Sequence, residues 1–472
     1  MAKSLKLINE NLDEVNKTSI EAREFVRKIT DKNSFVEYDA FLRGANLVYD
    51  PLPIGEGIIT GWATINDCPV YIALQNAEIL GGSFGVAHAQ KLTRCIDRAI
   101  KQKVPFISFI DSSGLRIGEG IQALDGYAKV IAKINELRSV SYHISVIKGV
   151  ATGLMSVFAT SSDFLFFTLQ DSKKGTRQPS MSLAAPMSLL AAAGESRTSS
   201  DVLGASAYLT NAVADDSFKT PTELKKHLGS LIPFLSPDLM PSKDDPNRIS
   251  DNLNEKLSPK AIIEALVDDG QYIELYKSAD NAIKTIIASI NSVPVGIAIT
   301  SADGSRKLTI SAIKKLTRFI KFLDKATIPL INIVDSEGLQ TDLNTELSGC
   351  ISEVTKLFET LAQSTNPKIS VIAGDAIGIA YTALASKDSG YEYVVAFSTS
   401  RIAALTADMA VNLLYADELN NTSDPIKARR TIEERYKLME ENPFVSAQSG
   451  SVDMIIEPAL LRPYIASYIA TI

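Results

Sequence analysis

The sequence predicts an α/β protein made of two similar domains in tandem, and two observations carry that reading. Residues 91–115, KLTRCIDRAIKQKVPFISFIDSSGL, match residues 315–339, KLTRFIKFLDKATIPLINIVDSEGL, at 12 of 25 positions without a gap. The echo continues as ISVIKGVATG at 144–153 and ISVIAGDAIG at 369–378, and a period of this length is a whole domain rather than a solenoid unit. Second, helical and strand patterns alternate inside each copy, the signature of a sheet with crossover helices.

The elements follow in order. Leu92, Cys95, Ile96, Ala99 and Ile100 recur at helical spacing, as do Leu316, Phe319, Ile320 and Leu323, so each copy begins with an amphipathic helix. VPFISFID and IPLINIVD are continuous apolar runs of the kind found in strands covered on both faces. SSGLRIGEG at 112–120 reads as a turn, followed by a second helix from about 119 to 137. HISVIKG is a further buried strand, and it leads through VATG into a small-residue helix and then DFLFFT. Between the halves, LIPFLSPDLMPSKDDPNRISDN is rich in Pro, Asp and Ser and lacks periodicity. The expected organisation is a domain at 1–235, a linker at 236–255 and a domain at 256–472.

Composition narrows the class. The 472 residues suffice for two ordinary cores, and a net charge of −7 argues against nucleic-acid binding. Cys68, Cys95 and Cys350 are too scattered for a disulfide framework or a metal motif, which fits a reducing cytoplasm. The mixed-charge N-terminus lacks the apolar core of a signal peptide, and no apolar run reaches the roughly 20 residues that span a bilayer.

Side-chain chemistry is sparse. The chain has three histidines, His88, His143 and His227, and each is expected to be structural. No zinc-protease motif, Cys/His cluster, P-loop or strict G-x-S-x-G is present, so no metal site is expected. The polar segment QDSKKGTRQPS at 170–180 is either a solvated loop or a phosphate contact. What the sequence offers instead is main chain: GGSFG (81–85), SSGLRIGEG (112–120), GVATG (149–153) and GDAIG (374–378) are glycine-bearing turns beside strands and helices. Amides at a helix N-terminus are unpaired and partly positive. Two such amides on one oxygen form an oxyanion hole, each contributing on the order of 3 kcal/mol in a transition state.

At these turns the sequence resembles the carboxyltransferase subunits of biotin-dependent acyl-CoA carboxylases and decarboxylases, of the propionyl-CoA carboxylase beta and methylmalonyl-CoA decarboxylase alpha type. GGSFGVAHAQKL is similar to the family's GGS-x-G-x-AHA-x-K, and DSSGLRIGEG to its DSGGAR-I-x-EG. GVATGLMSVFATSSDF, GDAIGIAYTALASKDSG and SAQSGSVDMIIEP lie over further family segments in the right order, so the likeness runs from about 55 to 470. It implies two crotonase-like (ClpP/crotonase) domains of ββα superhelical units, with acyl-CoA held mainly by the first and biotin mainly by the second. It implies a site shared between subunits of a dimer or trimer of dimers. Biotin would ride on a separate biotin carboxyl carrier protein, and biotin carboxylase or membrane decarboxylase subunits would be partners.

By position, the resemblance implies that the amides of Gly153 and Leu154 hold the acyl thioester oxygen and those of Ile379 and Ala380 the biotin ureido oxygen. Gly81, Gly82, Ser83, Gly114, Leu115, Arg116, Gly378, Tyr381 and Thr382 would bind substrate. The implied reaction moves a carboxyl group to or from the acyl α-carbon, with an acyl enolate attacking CO2 or its reverse. This sequence departs from the family where paired glycines become Gly153-Leu154 and Gly378-Ile379, and where Gly-Gly-Ala-Arg becomes Ser113-Gly114-Leu115-Arg116. A bulky side chain is costly wherever φ must be positive. A catalytically impaired structural subunit is therefore the alternative, and a hydratase or hydrolase using Glu119 is a third.

Overall fold

Each half of the repeat folds around a mixed sheet with the same strand order. In the first, β1 (Val36–Tyr38), β2 (Ile58–Ile65) and β3 (Cys68–Gln75) pair antiparallel. From β3 the sheet continues parallel through β4 (Phe106–Ser112), β5 (His143–Thr152), β6 (Phe164–Thr168) and β8 (Asp216–Phe218), with β7 (Ser180–Ser182) pairing the end of β5. The second repeats this as β9 (Tyr272–Leu275), β10 (Lys284–Ile290), β11 (Val293–Ile299), β12 (Leu330–Ser336), β13 (Lys368–Ile377), β14 (Tyr393–Phe397) and β16 (Met454–Ile456), with β15 (Arg401–Ala403) on β13. The computed structural model describes residues 13–15, 17–44, 54–169, 178–211, 213–235, 242–255 and 257–472. The chain divides into two units, Met1–Asp238 and Leu239–Ile472.

The parallel order follows from the crossover helices Val86–Gln102 and Gly120–Arg138, and Ile310–Ala326 and Cys350–Gln363. Leu92, Cys95, Ile96 and Ala99 pack with Phe106, Ile110 and Ile147 on one face of the first sheet. In the second unit Ile262, Leu266, Leu461 and Ile465 cover the other face, against Ile297, Ile331 and Ile369. Cover on both faces is why the strand sequences are continuously apolar. The two long helices end at matching residues in left-handed conformation, Lys103 and Thr327.

Smaller details repeat as well. Lys91 and Lys315 are buried and donate to carbonyls of the segment entering the first hairpin: Gly55 and Ile58 for one, Asp280 and Ile283 for the other. Asp31 accepts the amides of Asn66 and Asp67, and Asp268 those of Asn291 and Ser292. These aspartates align helix Ile20–Ile29 with helix Pro259–Leu266, so Phe25 and Ile262, each six residues before its aspartate, correspond.

The parallel pairs β4–β5 and β12–β13 carry a register shift at the same place, between Ile110 and Ser112 and between Val334 and Ser336. Asp111 and Asp335 sit at these shifts. Asp111 accepts the Val150 amide at 3.2 Å, and a Cβ on Gly149 would lie 2.2 Å from its carboxylate. Asp335 accepts the Asp375 amide at 3.0 Å, and a Cβ on Gly374 would lie 2.4 Å from it. The first glycine of GVATG and of GDAIG is therefore required by an aspartate that fills its side-chain space.

Of the stretch expected to be linker, residues 242–255 fold onto the second unit. Leu253 is buried in its core, the Ser250 amide donates to the Ala459 carbonyl, and Asp244 pairs with Arg248 and Arg462. Residues 236–241 and the basic part of 170–177 lie outside the described residues. Among the described residues no helix is long and apolar enough to cross a membrane.

All three histidines pack against aromatic rings: His88 on Phe84, His143 on Phe106 and Phe158, and His227 between Phe166 and Phe218. Burial holds the His227 imidazole down at about 4 and pushes His88 well below its ordinary value. An unfolded histidine takes up a proton near pH 6.5, which the native His227 refuses until about pH 4. Its contribution to stability is thus complete above about 6.5 and is lost as the pH falls toward 4, by up to roughly 3 kcal/mol. Urea denaturation of the wild type between pH 7 and 4 should show that loss, and His227→Leu should show a shallower pH dependence.

Candidate functional site

In the first unit three turns meet at the C-terminal ends of β4 and β5. Gly81 and Gly82 both have positive φ, and a Cβ on Gly82 would lie 1.9 Å from the Asp111 carbonyl oxygen. No residue other than glycine fits there, because the turn rests directly on the β4 backbone. Ser113 donates its amide and hydroxyl to the Gly81 carbonyl, and the Phe84 amide donates to Gly114 at 2.8 Å. The Arg116 amide returns a bond to Phe84, so residues 81–84 and 113–116 are zipped together.

A buried charge cluster holds this zipper. The Arg116 side chain, 1% exposed, pairs with Glu56 at 2.7 Å and Glu119 at 2.9 Å. Its remaining contacts are to the Ser83 hydroxyl and carbonyl. Glu119 in turn accepts the Val86 amide at the start of helix Val86–Gln102, and Gly85 is small because both side chains crowd it. The Arg116 guanidinium is engaged inside the fold and positions the Gly81–Ser83 turn. Leu115 is partly buried and packs against the hydrophobic core. The hydratase reading loses its acid, since the Glu119 carboxylate is bound on both sides. Sequence reasoning missed Glu56, which lies far from Arg116 along the chain and carries no motif of its own.

The third turn is Gly153, at φ 64° and ψ −134°, between β5 and the short helix Leu154–Thr160. Its amide donates to the Ser182 carbonyl at 2.9 Å, and its carbonyl accepts the Ser156 amide and hydroxyl. This corrects the expected donor pair. Gly153 is engaged with β7, and the amides without an acceptor among the described residues are those of Leu154 and Met155. The Leu154 side chain packs on the core, and its carbonyl accepts the Tyr127 hydroxyl at 2.6 Å.

The second unit presents the same turn. Gly378 has φ 56° and ψ −121°, its amide donates to Ala403 on β15 at 2.9 Å, and the helix Ile379–Leu384 follows. The amides of Ile379 and Ala380 have no acceptor among the described residues. A cavity of about 400 Å³ adjoins this turn within the unit, with Gly378, Tyr381, Thr382, Ala404, Ser446 and Ser449 in its wall. Thr382 is exposed and donates to the Gly378 carbonyl at 3.2 Å, and its own carbonyl accepts the Ser389 hydroxyl.

The departures from paired glycines acquire a physical answer. The residues with positive φ are Gly114, Gly153 and Gly378, all retained as glycine, whereas Leu115, Leu154 and Ile379 have ordinary backbone conformations. The bulky substitutes thus cost no backbone strain. Glu56→Gln should leave the Arg116 guanidinium buried with one charge partner fewer. Urea denaturation should register a loss of roughly 3 kcal/mol.

The family model of the carboxyl transferase domain matches residues 13–471. The propionyl-CoA carboxylase beta chain of Cereibacter sphaeroides is 30% identical over 96% of this chain and 90% of its own length. The methylmalonyl-CoA decarboxylase subunit alpha of Veillonella parvula is 32% identical over 95% of this chain and 89% of its own. Among solved structures, transcarboxylase 12S, a hexamer with methylmalonyl-coenzyme A and methylmalonic acid bound, superposes at a TM-score of 0.90. It shares 27% identity and covers 99% of this chain and 94% of its own. Both units are accordingly crotonase-like.

Proposed function

The chain belongs to the carboxyl transferase domain family, and from that membership we propose that it moves a carboxyl group between biotin and the α-carbon of an acyl-CoA. The reaction runs from acetyl- or propionyl-CoA to malonyl- or methylmalonyl-CoA, or in reverse. The observation that carries this reading is the duplicated turn. Gly153 and Gly378 share one positive-φ backbone conformation, each is tied to a neighbouring strand by its own amide, and each is followed by two amides without an acceptor among the described residues.

In this reading the Leu154 and Met155 amides donate to the acyl thioester oxygen, which gains negative charge as the α-carbon loses its proton or its carboxyl group. Fixed main-chain dipoles need no reorganisation as that charge develops, so they lower the barrier without an ionisable side chain. The Gly81–Ser83 turn and Gly114 line the approach of the acyl-CoA. The Ile379 and Ala380 amides hold the ureido oxygen of biotin. The cavity beside them, about 400 Å³, has the size of a small-molecule site, and Tyr381 and Thr382 in its wall fit a compact, polar bicyclic ring. Biotin, when bound, supplies or receives the carboxyl group. It is carried on a separate biotin carboxyl carrier protein, with a biotin carboxylase or membrane decarboxylase subunits as partners and a homo-oligomer, a dimer or a trimer of dimers, as the working form.

The test is decarboxylation of methylmalonyl-CoA or malonyl-CoA by the purified chain with free biotin. Turnover is expected with at least one of them. Ala380→Pro removes one donor in the first turn of helix Ile379–Leu384 and should lower kcat on the order of a hundredfold, with a cooperative melt of the variant showing that the loss is not unfolding. Binding of a biotin carrier with no turnover of any acyl-CoA would instead identify a structural subunit.

A further inference from the structure

We propose that the second unit contains a separate binding site for a small neutral molecule, mostly apolar and carrying one oxygen acceptor, in a cavity beneath helix Pro259–Leu266. The cavity, about 190 Å³, has an apolar floor of buried Ile262, Ile299, Ile333 and Ala373, and Arg306 and Asp335 belong to its polar wall. For scale, an enclosed apolar space of about 150 Å³ holds a benzene molecule, and this cavity, open on one side, has room for a ligand of that size or slightly larger. It shares no wall residue with the cavity beside Gly378.

The duplication supplies an internal control. The positions matching Ile262, Ile333 and Ala373 are Phe25, Phe109 and Lys148 in the first unit. There Phe25 stacks edge-on against Phe109 with centroids 5.2 Å apart, and the Lys148 ammonium lies 5.3 Å from the Phe25 ring. Two rings and a long stem thus occupy in one unit what two isoleucines and an alanine leave open in the other. The same backbone tolerates the filled arrangement.

Charge and hydrogen bonding select the ligand. Arg306 stands where the first unit has Gly82. It pairs with Asp335 at 3.1 Å, Glu337 at 3.4 Å and Asp375. Arg401 shares Asp375 and Glu337, and the buried Glu441 lies 3.8 Å from it. Two guanidiniums thus meet four carboxylates in this network, of which Arg306 and Asp335 reach the cavity wall, so the excess negative charge behind that wall disfavours an anion. The Arg306 Nε is buried and has no acceptor among the described residues. A neutral carbonyl or hydroxyl oxygen satisfies that donor without adding negative charge.

The probe is benzyl alcohol, with benzoate as its charged counterpart, added to the full chain and followed by ligand-observed NMR and thermal melting. Saturable binding of benzyl alcohol, with a raised melting temperature and weaker binding of benzoate, is expected. Ile333→Phe with Ala373→Lys introduces two of the three filling residues of the first unit and should weaken binding by roughly tenfold or more, as should the milder single filling Ala373→Leu. Either variant, whichever gives a cooperative melt, decides the matter. Absent or unsaturable binding to the wild type, equal binding to a folded filled variant, or tighter binding of benzoate overturns the proposal.

Discussion

The register shift between the two central parallel strands of each unit sets the geometry on which everything else rests. At Asp111 and Asp335 the ladder slips, and the aspartate carboxylate turns across the neighbouring strand to accept an amide from it. That placement is open only because Gly149 and Gly374 have no side chain. Beyond the slip the longer strand, β5 or β13, runs on past its partner, gains a third neighbour in β7 or β15, and ends in a glycine with positive φ. The slip thus delivers a helix start, with amides that have no acceptor among the described residues, to the carboxyl end of the sheet. Crevices at that end are where open α/β sheets bind ligands.

A duplicated backbone has been given two chemistries. The first unit builds its neighbouring turn from Gly81 and Gly82, laid flat on β4 and locked from behind by the buried Glu56–Arg116–Glu119 cluster. At the matching place the second unit has Arg306, in a half-exposed network with Asp335, Glu337, Asp375 and Arg401. One arrangement is a rigid main-chain surface and the other a charged wall. Ligand preference in such a protein resides in the residues grafted onto the fold rather than in the fold itself. The same divergence explains why one unit is plugged by Phe25 and Phe109 while the other retains a cavity.

The glycine substitutions illustrate how backbone conformation, rather than residue identity, decides whether a turn survives. Leu154 and Ile379 occupy the first position of a helix, where any residue has an allowed conformation and every residue but proline offers an amide. The preceding glycine bears the left-handed conformation, and it is the one retained. Tyr127 and β7 then fix the turn from two sides, through the Leu154 carbonyl and the Gly153 amide.

Much of this was legible in the linear sequence. The duplication, the helix–strand alternation and the glycine turns follow from apolar periodicity and local conformational demand, which are properties of neighbouring residues. Burial of both sheet faces could be read from the unbroken apolar runs in VPFISFID and IPLINIVD. What only the tertiary structure decided were pairings between distant segments. The resemblance placed Arg116 among the substrate contacts, and only the fold shows that Glu56 meets it from 60 residues away and holds its guanidinium in the interior. Gly153 looked like a donor until β7 was seen to accept its amide. Residues 242–255 looked like linker because they lack periodicity, but buried Leu253 and the Asp244–Arg462 pair anchor them to the second unit. Local preference is written residue by residue along the chain. Whether a polar group faces a ligand or a partner inside the fold depends on which remote segment packs beside it, and that is settled only when the chain closes.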